Sequence, residues 1–194
     1  MRAVNVAVLG ATGAVGQEML QILAERQFPI KSLKLLASPC SAGRKVEFNN
    51  QEYVIEAVSA DQFTDVDIAF FAAGGDASKQ WAPVAIEAGC TVIDNSSAFR
   101  MNPDVPLIVP EVNMEAAKNH QGIIANPNCS TIIFALALKP IYDAVGIRRV
   151  VVSTYQAVSG AGQAAIDELT AQTQAYASGE EIEAEVLPVK GLPK

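Results

Sequence analysis

Short apolar runs recur along the first two thirds of the chain, and turn-forming residues bound each run. The runs that predict strands are residues 4–9, 33–37, 66–72, 90–94 and 123–125. They hardly alternate between apolar and polar positions, which is typical of strands buried on both faces of a parallel sheet. Helix-spaced apolar residues fill 17–26 and the stretch before Gly89. This order predicts an α/β fold with a Rossmann-like, doubly wound, mostly parallel sheet.

A β-hairpin is predicted between the second and third of these strands. Its arms are Val46–Phe48 and Tyr53–Val58, with Asn49-Asn50 at the turn. Both arms are rich in β-branched or aromatic residues, and asparagine pairs favour tight turns.

The last third of the chain has longer apolar patterns. The residues after Cys129 predict a helix that stops at Lys139-Pro140, because proline is poorly tolerated inside a helix. Arg148–Ala157 predicts a long strand, and Ser159–Gly162 opens a helix that reaches about Tyr176. This second strand–glycine–helix junction offers a close backbone approach for a ligand, with a simple N-cap by the serine as the alternative.

A glycine-rich loop follows the first predicted strand directly. It reads Gly10-Ala11-Thr12-Gly13-Ala14-Val15-Gly16, and an apolar helix pattern begins immediately after it. Such glycines permit a tight turn and let the backbone approach a pyrophosphate at the helix N-terminus. The spacing is a variant of the usual dinucleotide fingerprint, and a purely structural turn is the alternative. The position between first strand and first helix favours dinucleotide binding.

The loop after the second predicted strand bears on the choice between NAD and NADP. An NAD-binding unit usually carries Asp or Glu at this strand end to bond the ribose hydroxyls. This chain has Ser38, Cys40 and Ser41 instead, followed by the basic pair Arg44-Lys45. Because hydroxyls and cations suit a 2′-phosphate, the loop favours NADP. A solvated polar loop is the alternative.

Cys129 stands where a loop ends and an apolar helix begins. Pro127 restrains the loop before it, and Asn128 is a good N-cap. The cysteine is therefore expected in the first helical turn, where unpaired N–H groups and the helix dipole stabilise a thiolate. Position alone leaves two interpretations open: a nucleophile for covalent catalysis, or a small residue at a helix start.

A polar run, Asn95-Ser96-Ser97-Ala98-Phe99-Arg100, leaves the predicted strand that ends at Asp94. Ligands of open α/β sheets gather at the carboxyl ends of strands, and an arginine there can grip a phosphate or carboxylate at two points. A surface salt bridge is the alternative for Arg100. His120 lies in a polar turn and is interpreted as a solvated loop residue rather than a base for Cys129.

Composition narrows the class of protein. The formal charge of −7, with no basic run, disfavours nucleic acids and anionic membranes as partners. No run is long enough to cross a bilayer, and nothing resembles a signal peptide. The three widely spaced cysteines are interpreted as reduced thiols of a cytoplasmic protein, with Cys90 in the core. A single histidine without a close Cys/His pair gives no support to a structural metal site.

Together these motifs resemble the aspartate-β-semialdehyde dehydrogenase family. The strings that carry the resemblance are Gly10–Gly16, Asp94–Arg100, Pro127–Thr131 and Thr154–Gly162. The resemblance covers essentially all of the chain. It implies an NADP-binding Rossmann-like domain over residues 1–127 and the start of an α+β substrate and dimerisation domain over 128–194. Family members reduce aspartyl-4-phosphate with NADPH to aspartate semialdehyde, on the way to lysine (through diaminopimelate), threonine, methionine and isoleucine.

The resemblance also implies roles for individual residues. Cys129 would be the nucleophile that forms an acyl-thioester, and Gln156 would bind and orient the substrate beside it. Arg100 and Asn128 would hold the phosphate. The residues that would contact NADP are Gly10, Thr12, Gly13, Ala14, Val15, Gly16, Ser38, Cys40, Ser41, Ser159 and Gly160.

The chain departs from the family pattern in two ways. Many bacterial members have an arginine where this chain has Cys40, so the 2′-phosphate would fall to Arg44 or Lys45. The family also has a second half with most of the substrate domain, the dimer surface, a substrate-binding arginine and an acid/base histidine, which His120 does not match. We therefore expect these 194 residues to bind nucleotide with little or no turnover, and to lack most of the surface of the family's homodimer or homotetramer.

Two alternatives are kept. One is a nucleotide-binding or interaction module without chemistry. The other is a related reductase that acts on N-acetylglutamyl phosphate, although the Asn-Cys-Ser-Thr context around Cys129 disfavours that family.

Overall fold

The computed structural model describes residues 2–182 and 184–186. The chain divides into two compact units, one up to Val150 and one from Val151 onward. The strands are β1 (Val4–Leu9), β2 (Ile30–Ala37), β3 (Lys45–Phe48), β4 (Gln51–Val54), β5 (Glu56–Ala57), β6 (Ile68–Phe71), β7 (Thr91–Asp94) and β8 (Ile123–Ala125). The helices are α1 (Ala14–Glu25), α2 (Gly75–Glu87), α3 (Pro110–Asn113), α4 (Cys129–Val145) and α5 (Gln163–Ser178).

The first unit is built on a parallel sheet of six strands in the order β5-β2-β1-β6-β7-β8. The observed bounds of β1 and β8 match the predicted ones, and the doubly wound α/β prediction is confirmed. The chain moves from β1 to one side through α1 and later to the other side through α2, so the winding direction reverses beside β1.

Both faces of the sheet are covered. Successive residues of β1 alternate between two apolar clusters: Val6 joins the cluster with Leu20 of α1, and Ala7 joins the cluster with Ala82 of α2. Because each strand residue meets a helix whichever way it points, β1 reads as an unbroken apolar run. Cys90, predicted to be core, is buried beneath α2.

The predicted hairpin forms with a shorter second arm. Strands β3 and β4 pair in antiparallel register, and Asn49 and Asn50 adopt positive φ at the turn. The prediction that the second arm runs from Tyr53 to Val58 is wrong. The chain breaks at buried Ile55, and β5 then joins the main sheet beside β2. The buried Ile55 side chain fixes the position at which the chain leaves the hairpin for the main sheet.

The prediction that the helix after Cys129 stops at Lys139-Pro140 is wrong as well. Helix α4 contains the proline and continues to Val145. An ion pair from Lys139 Nζ to Asp143, 2.7 Å to Oδ1, spans the proline. Gly146, with φ of 69°, ends the helix.

The second unit contains α5, which ends at Ser178 with Gly179 in the left-handed region. The predicted helix that reaches about Tyr176 is confirmed, and it ends two residues later. The predicted long strand Arg148–Ala157 is wrong, since residues 146–157 have no regular structure. Tyr155 is 97% exposed there. A β-propensity run forms a strand only where another backbone accepts its hydrogen bonds, and none does so among the described residues.

Candidate functional site

The carboxyl ends of five parallel strands meet at one edge of the first unit. Leu9 pairs with Leu36 on one side and with Phe71 on the other. Farther along, Asp94 pairs with Phe71 and with Ala125. The loops that follow these strand ends therefore lie on the same edge, at the point where the winding reverses, which is where open α/β sheets bind ligands.

The three positions of the first loop that are occupied by glycine differ in how strongly the fold requires glycine there. Gly10 has φ of 91°, and a Cβ on it would lie 2.7 Å from the backbone of Ala72. A Cβ on Gly16 would lie 2.2 Å from the carbonyl oxygen of Gly10. Gly13 has an ordinary φ of −79° and room for a Cβ, whose nearest neighbour would be 3.4 Å away. The fold therefore requires Gly10 and Gly16, whereas close approach of a ligand would explain Gly13.

Helix α1 begins beside this loop without a side-chain cap. Gly13 is its N-cap residue and offers no side chain, so the first N–H groups of the helix, from Ala14 onward, lack a capping acceptor. Thr12 is half-buried and Val15 is exposed at the same turn. Uncapped N–H groups at a helix N-terminus form an anion-binding surface.

The loop after β2 is a single 3₁₀ turn, Pro39–Ser41. Ser38 and Cys40 are exposed and Ser41 is half-buried. The two cations that follow differ. Lys45 Nζ pairs with Glu52 Oε1 at 2.7 Å, whereas Arg44 has no carboxylate partner within the part of the chain that the structure describes. Arg44 is therefore the cation of this pair that remains for a 2′-phosphate.

Arg100 is anchored by two backbone carbonyls. Its Nε donates to Asn126 O at 2.9 Å, and its Nη2 donates to Asn95 O at 3.0 Å. The side-chain amide of Asn126 also donates to the side-chain oxygen of Asn95. No carboxylate pairs with this arginine among the described residues, so the surface salt bridge that was the alternative is absent there. Its remaining N–H donors suit an anion.

Cys129 is the first residue of α4, as the sequence predicted, and the structure shows that it is exposed. Asn128 caps the helix, its Oδ1 accepting from Ser130 N at 3.0 Å. Asn126, which holds Arg100, precedes the cysteine by three residues, so the chain allows at most roughly 10 Å between them. The thiol and the arginine are thus tied to one short segment at one edge of the sheet.

The other two cysteines and the histidine differ from Cys129. Burial raises the pKa of the Cys90 thiol, whose Sγ donates to Phe63 O at 3.4 Å. Cys40 is exposed but lies in the loop after β2. His120 Nδ1 accepts from Gly122 N at 3.1 Å, before the amino end of β8, whereas Cys129 follows its carboxyl end. Neither Cys90 nor His120 belongs to the site.

The remaining predicted residues lie in the second unit. A Cβ on Gly160 would fall 2.0 Å from Gln156 Nε2, the end of a flexible side chain that can move aside. Ser159 is not the N-cap of α5; Gly162 occupies that position. The roles of Gln156, Ser159 and Gly160 toward a ligand stay predictions.

Sequence reasoning missed how Asp94 and Asn126 support the site. Asp94 is fully buried, and the backbone oxygen of Asn126 holds Arg100. The sequence did contain a signal for Asp94, because it is an acidic residue at the end of an otherwise apolar strand. No local pattern identifies a backbone acceptor. Within residues 2–182 and 184–186, no group of three or more His, Cys, Asp or Glu side chains could hold a metal ion, and no helix is long and apolar enough to cross a membrane.

Comparison with known proteins decides the family. The model described as "Semialdehyde dehydrogenase, NAD binding domain" matches residues 5–120. The chain belongs to the semialdehyde dehydrogenase family. The model of that family's dimerisation domain matches residues 138–190. The two matched ranges flank the predicted boundary at 127/128, the compact units divide after Val150, and that boundary stays a prediction.

Relatives agree with this assignment. The aspartate-semialdehyde dehydrogenase of Bacillus subtilis is 55% identical over 193 residues, which cover 100% of this chain and 56% of that protein. A crystal structure of aspartate semialdehyde dehydrogenase II from Vibrio cholerae, complexed with ASA, has a TM-score of 0.88 and 52% identity, covering 97% of this chain and 56% of that one. An aspartate semialdehyde dehydrogenase with NADP from Candida albicans has a TM-score of 0.61 and 27% identity, covering 75% of this chain and 48% of that one. The chain thus spans about half the length of these semialdehyde dehydrogenases, and the predicted resemblance is confirmed.

Proposed function

We propose that this chain carries the nucleophile and the cofactor-binding surface of an NADP-dependent enzyme that reduces aspartyl-4-phosphate to aspartate semialdehyde. The observation that carries the proposal is the anchoring of Arg100 on Asn126, three residues before the exposed thiol of Cys129. An anion-binding cation and a nucleophile so linked suit an acyl phosphate, which offers a phosphate to grip and a carbonyl carbon to attack. Its product would enter synthesis of the aspartate-family amino acids.

The residues at the sheet edge fit NADP. The uncapped start of α1 and the space at Gly13 suit a pyrophosphate, and Arg44 suits a 2′-phosphate. The family relative from C. albicans is named with NADP. When bound, the reduced nicotinamide would supply a hydride. The loop residues Ser38, Cys40 and Ser41 would line the adenosine side of this surface.

The chain's own residues would perform the acyl transfer. Cys129 is the first residue of α4, so it stands at the positive end of the helix dipole. The sulfur attacks the acyl carbon, the bond from that carbon to the phosphate oxygen breaks, and inorganic phosphate leaves with the electron pair. Arg100, with Asn128 beside it, would neutralise the charge of the departing phosphate. Gln156 would orient the acyl group of the thioester.

The described site contains no general base. His120 is the single histidine of the sequence and lies at the other end of β8 from Cys129. General acid–base assistance is worth roughly 10²–10⁴-fold. We infer that the chain alone binds nucleotide and turns over slowly. The dimerisation-domain match supports a homodimer or homotetramer of the whole family member, and three free cysteines support a cytoplasmic setting.

Thiol labelling tests this proposal. The chain carries an internal control, because Cys40 and Cys129 are both exposed and free. We expect anionic iodoacetate to label Cys129 faster than Cys40, and inorganic phosphate to slow labelling of Cys129 about tenfold while Cys40 is unchanged. Arg100→Ala should remove both effects. Mass spectrometry of the digested peptides gives the rate at each cysteine.

Two outcomes would oppose catalysis. If both cysteines react alike and phosphate protects neither, Cys129 has no anion site beside it. If NADPH still binds under those conditions, the chain is a nucleotide-binding module without chemistry, which is the alternative kept from the sequence.

A further inference from the structure

A buried carboxyl group closes the strand that leads into the Arg100 loop. Asp94 is the last residue of β7 and is 0% exposed, as is Ser78 of α2. Asp94 Oδ1 accepts from Ser78 Oγ at 2.7 Å and from Ser96 N at 3.1 Å, and Oδ2 accepts from Ser96 Oγ at 2.8 Å. A buried carboxyl is costly unless its oxygens are bonded, so this arrangement holds its neighbours firmly.

Ser96 passes this restraint along the loop. Its hydroxyl donates to Asp94 Oδ2 and accepts from Ala98 N at 3.0 Å. The turn from Asp94 to Ala98 is therefore closed by three hydrogen bonds, all of which involve Ser96. Asn95 lies inside the turn, and its carbonyl accepts from Arg100 Nη2.

We propose that Asp94, acting through Ser96, is a positioning residue for Arg100. Arg100 is held at two points, Asn126 O and Asn95 O, and only the second depends on the closed turn. Asn95 is also held by its N–H, which donates to Phe71 O at 3.0 Å, and by its side-chain bond with Asn126. Opening the turn removes the restraint on the side of its carbonyl and so weakens the contact from Asn95 O to the guanidinium. The claim that Asp94 and Ser96 position Arg100 stands by itself. The further claim that they thereby fix a bound anion rests on the proposed function, in which Arg100 binds phosphate.

Ser78 supplies a matched control. Ser78→Ala and Ser96→Ala each remove one hydroxyl that donates to the same buried carboxyl group. Only Ser96 belongs to the loop that bears Arg100, whereas Ser78 lies on α2. Ser96→Thr keeps the hydroxyl and should rescue.

The experiment uses the full chain labelled with ¹⁵N and follows the Nη protons of Arg100 by NMR, since Nη2 is the atom that donates to Asn95 O. Inorganic phosphate is titrated in the same samples. Ser96→Ala is expected to speed solvent exchange of the Nη protons about tenfold and to weaken phosphate binding by a similar factor. Ser78→Ala should leave both near wild type even when urea unfolding shows an equal loss of stability, and Ser96→Thr should restore both.

Two results would overturn the proposal: unchanged Nη–H exchange of Arg100 in Ser96→Ala, or equal changes in Ser96→Ala and Ser78→Ala. If wild type binds no phosphate while Ser96→Ala alone speeds exchange of the Nη protons, the positioning role stands and the proposed function fails. The two claims are thus separable.

Discussion

Helices α2 and α4 both start at the same edge of the sheet, yet they are packed differently. The 13-residue α2 buries Ser78, Ala82 and Ala85 against the core. The 17-residue α4 is more apolar and buries none of its side chains. Ile133 is 70% exposed and Val145 is 80% exposed on it. An apolar helix is usually the buried one, so composition alone would rank these two helices in the wrong order.

The difference shows what a residue's surroundings add to its type. In the closed part of the first unit, the packed sheet and the helices around it demand particular side chains, glycines and thiols. At α4 the described structure makes few such demands, since none of its residues is buried. Paired substitutions, one member in each setting, test this contrast.

The largest effect is expected in the core. Phe71→Ala removes a ring that is 0% exposed in β6, and should cost about 3–5 kcal/mol of unfolding free energy. Ile133→Ala, on the exposed face of α4, should change it by less than about 0.5 kcal/mol. Urea unfolding of the two variants measures both. Similar losses of unfolding free energy in the two variants would show that α4 is packed in solution, and the difference between α2 and α4 would not hold.

The next effect separates two glycines of one loop. Gly10→Ala must place a Cβ against the backbone of Ala72 at positive φ, and should cost at least about 1–3 kcal/mol. Gly13→Ala meets no close atom, so its stability should stay near wild type while affinity for NADPH falls about tenfold or more. Thermal unfolding and NADPH fluorescence report the two quantities. Undiminished NADPH binding by Gly13→Ala would remove the ligand explanation for that glycine.

A smaller effect separates two neighbouring cations. Lys45 is already paired with Glu52, whereas Arg44 has no carboxylate partner in the described part of the chain. A charge-assisted hydrogen bond contributes about 1.5–3 kcal/mol, so Arg44→Ala should weaken NADPH binding about tenfold and leave NADH unchanged. Lys45→Ala is the control and should alter the affinity for neither NADPH nor NADH. Equal losses for both nucleotides would show that Arg44 does not contact the 2′-phosphate.

The smallest effect concerns the buried thiol. Because burial raises the pKa of Cys90, the folded chain keeps this proton to higher pH than the unfolded chain does. The resulting stability is complete below the unfolded pKa, about 8.5, and is lost as pH rises through the folded one. Cys90→Ala should therefore show a shallower fall in urea midpoint above pH 8.5 than wild type, with Cys40→Ala as the exposed control. Identical slopes in all three proteins would contradict burial as the cause.

Much of the candidate site could be predicted because its signals are local. The apolar run of β1, the glycine loop after it and the N-cap before Cys129 each act within a few residues, and each was found where expected. Arg100 was identified because it follows the end of a strand. Its anchoring by Asn95 and Asn126 was not, since backbone acceptors 5 and 26 residues away leave no mark in the sequence.

What the sequence determined by itself is the alternation of buried strands and helices up to Cys129, and the candidate reactive groups, because strand length, helix spacing and capping depend on neighbouring residues. Only the tertiary structure decided which patterns were realised. Arg148–Ala157 has the composition of a strand but finds no strand partner among the described residues, whereas α4 continues past Pro140 to Val145. It also separated Gly10 and Gly16, which the fold needs, from Gly13, which it does not. Hydrogen-bond partners and steric clearance are set by residues distant in the chain, and this is why they become visible only when the chain is folded.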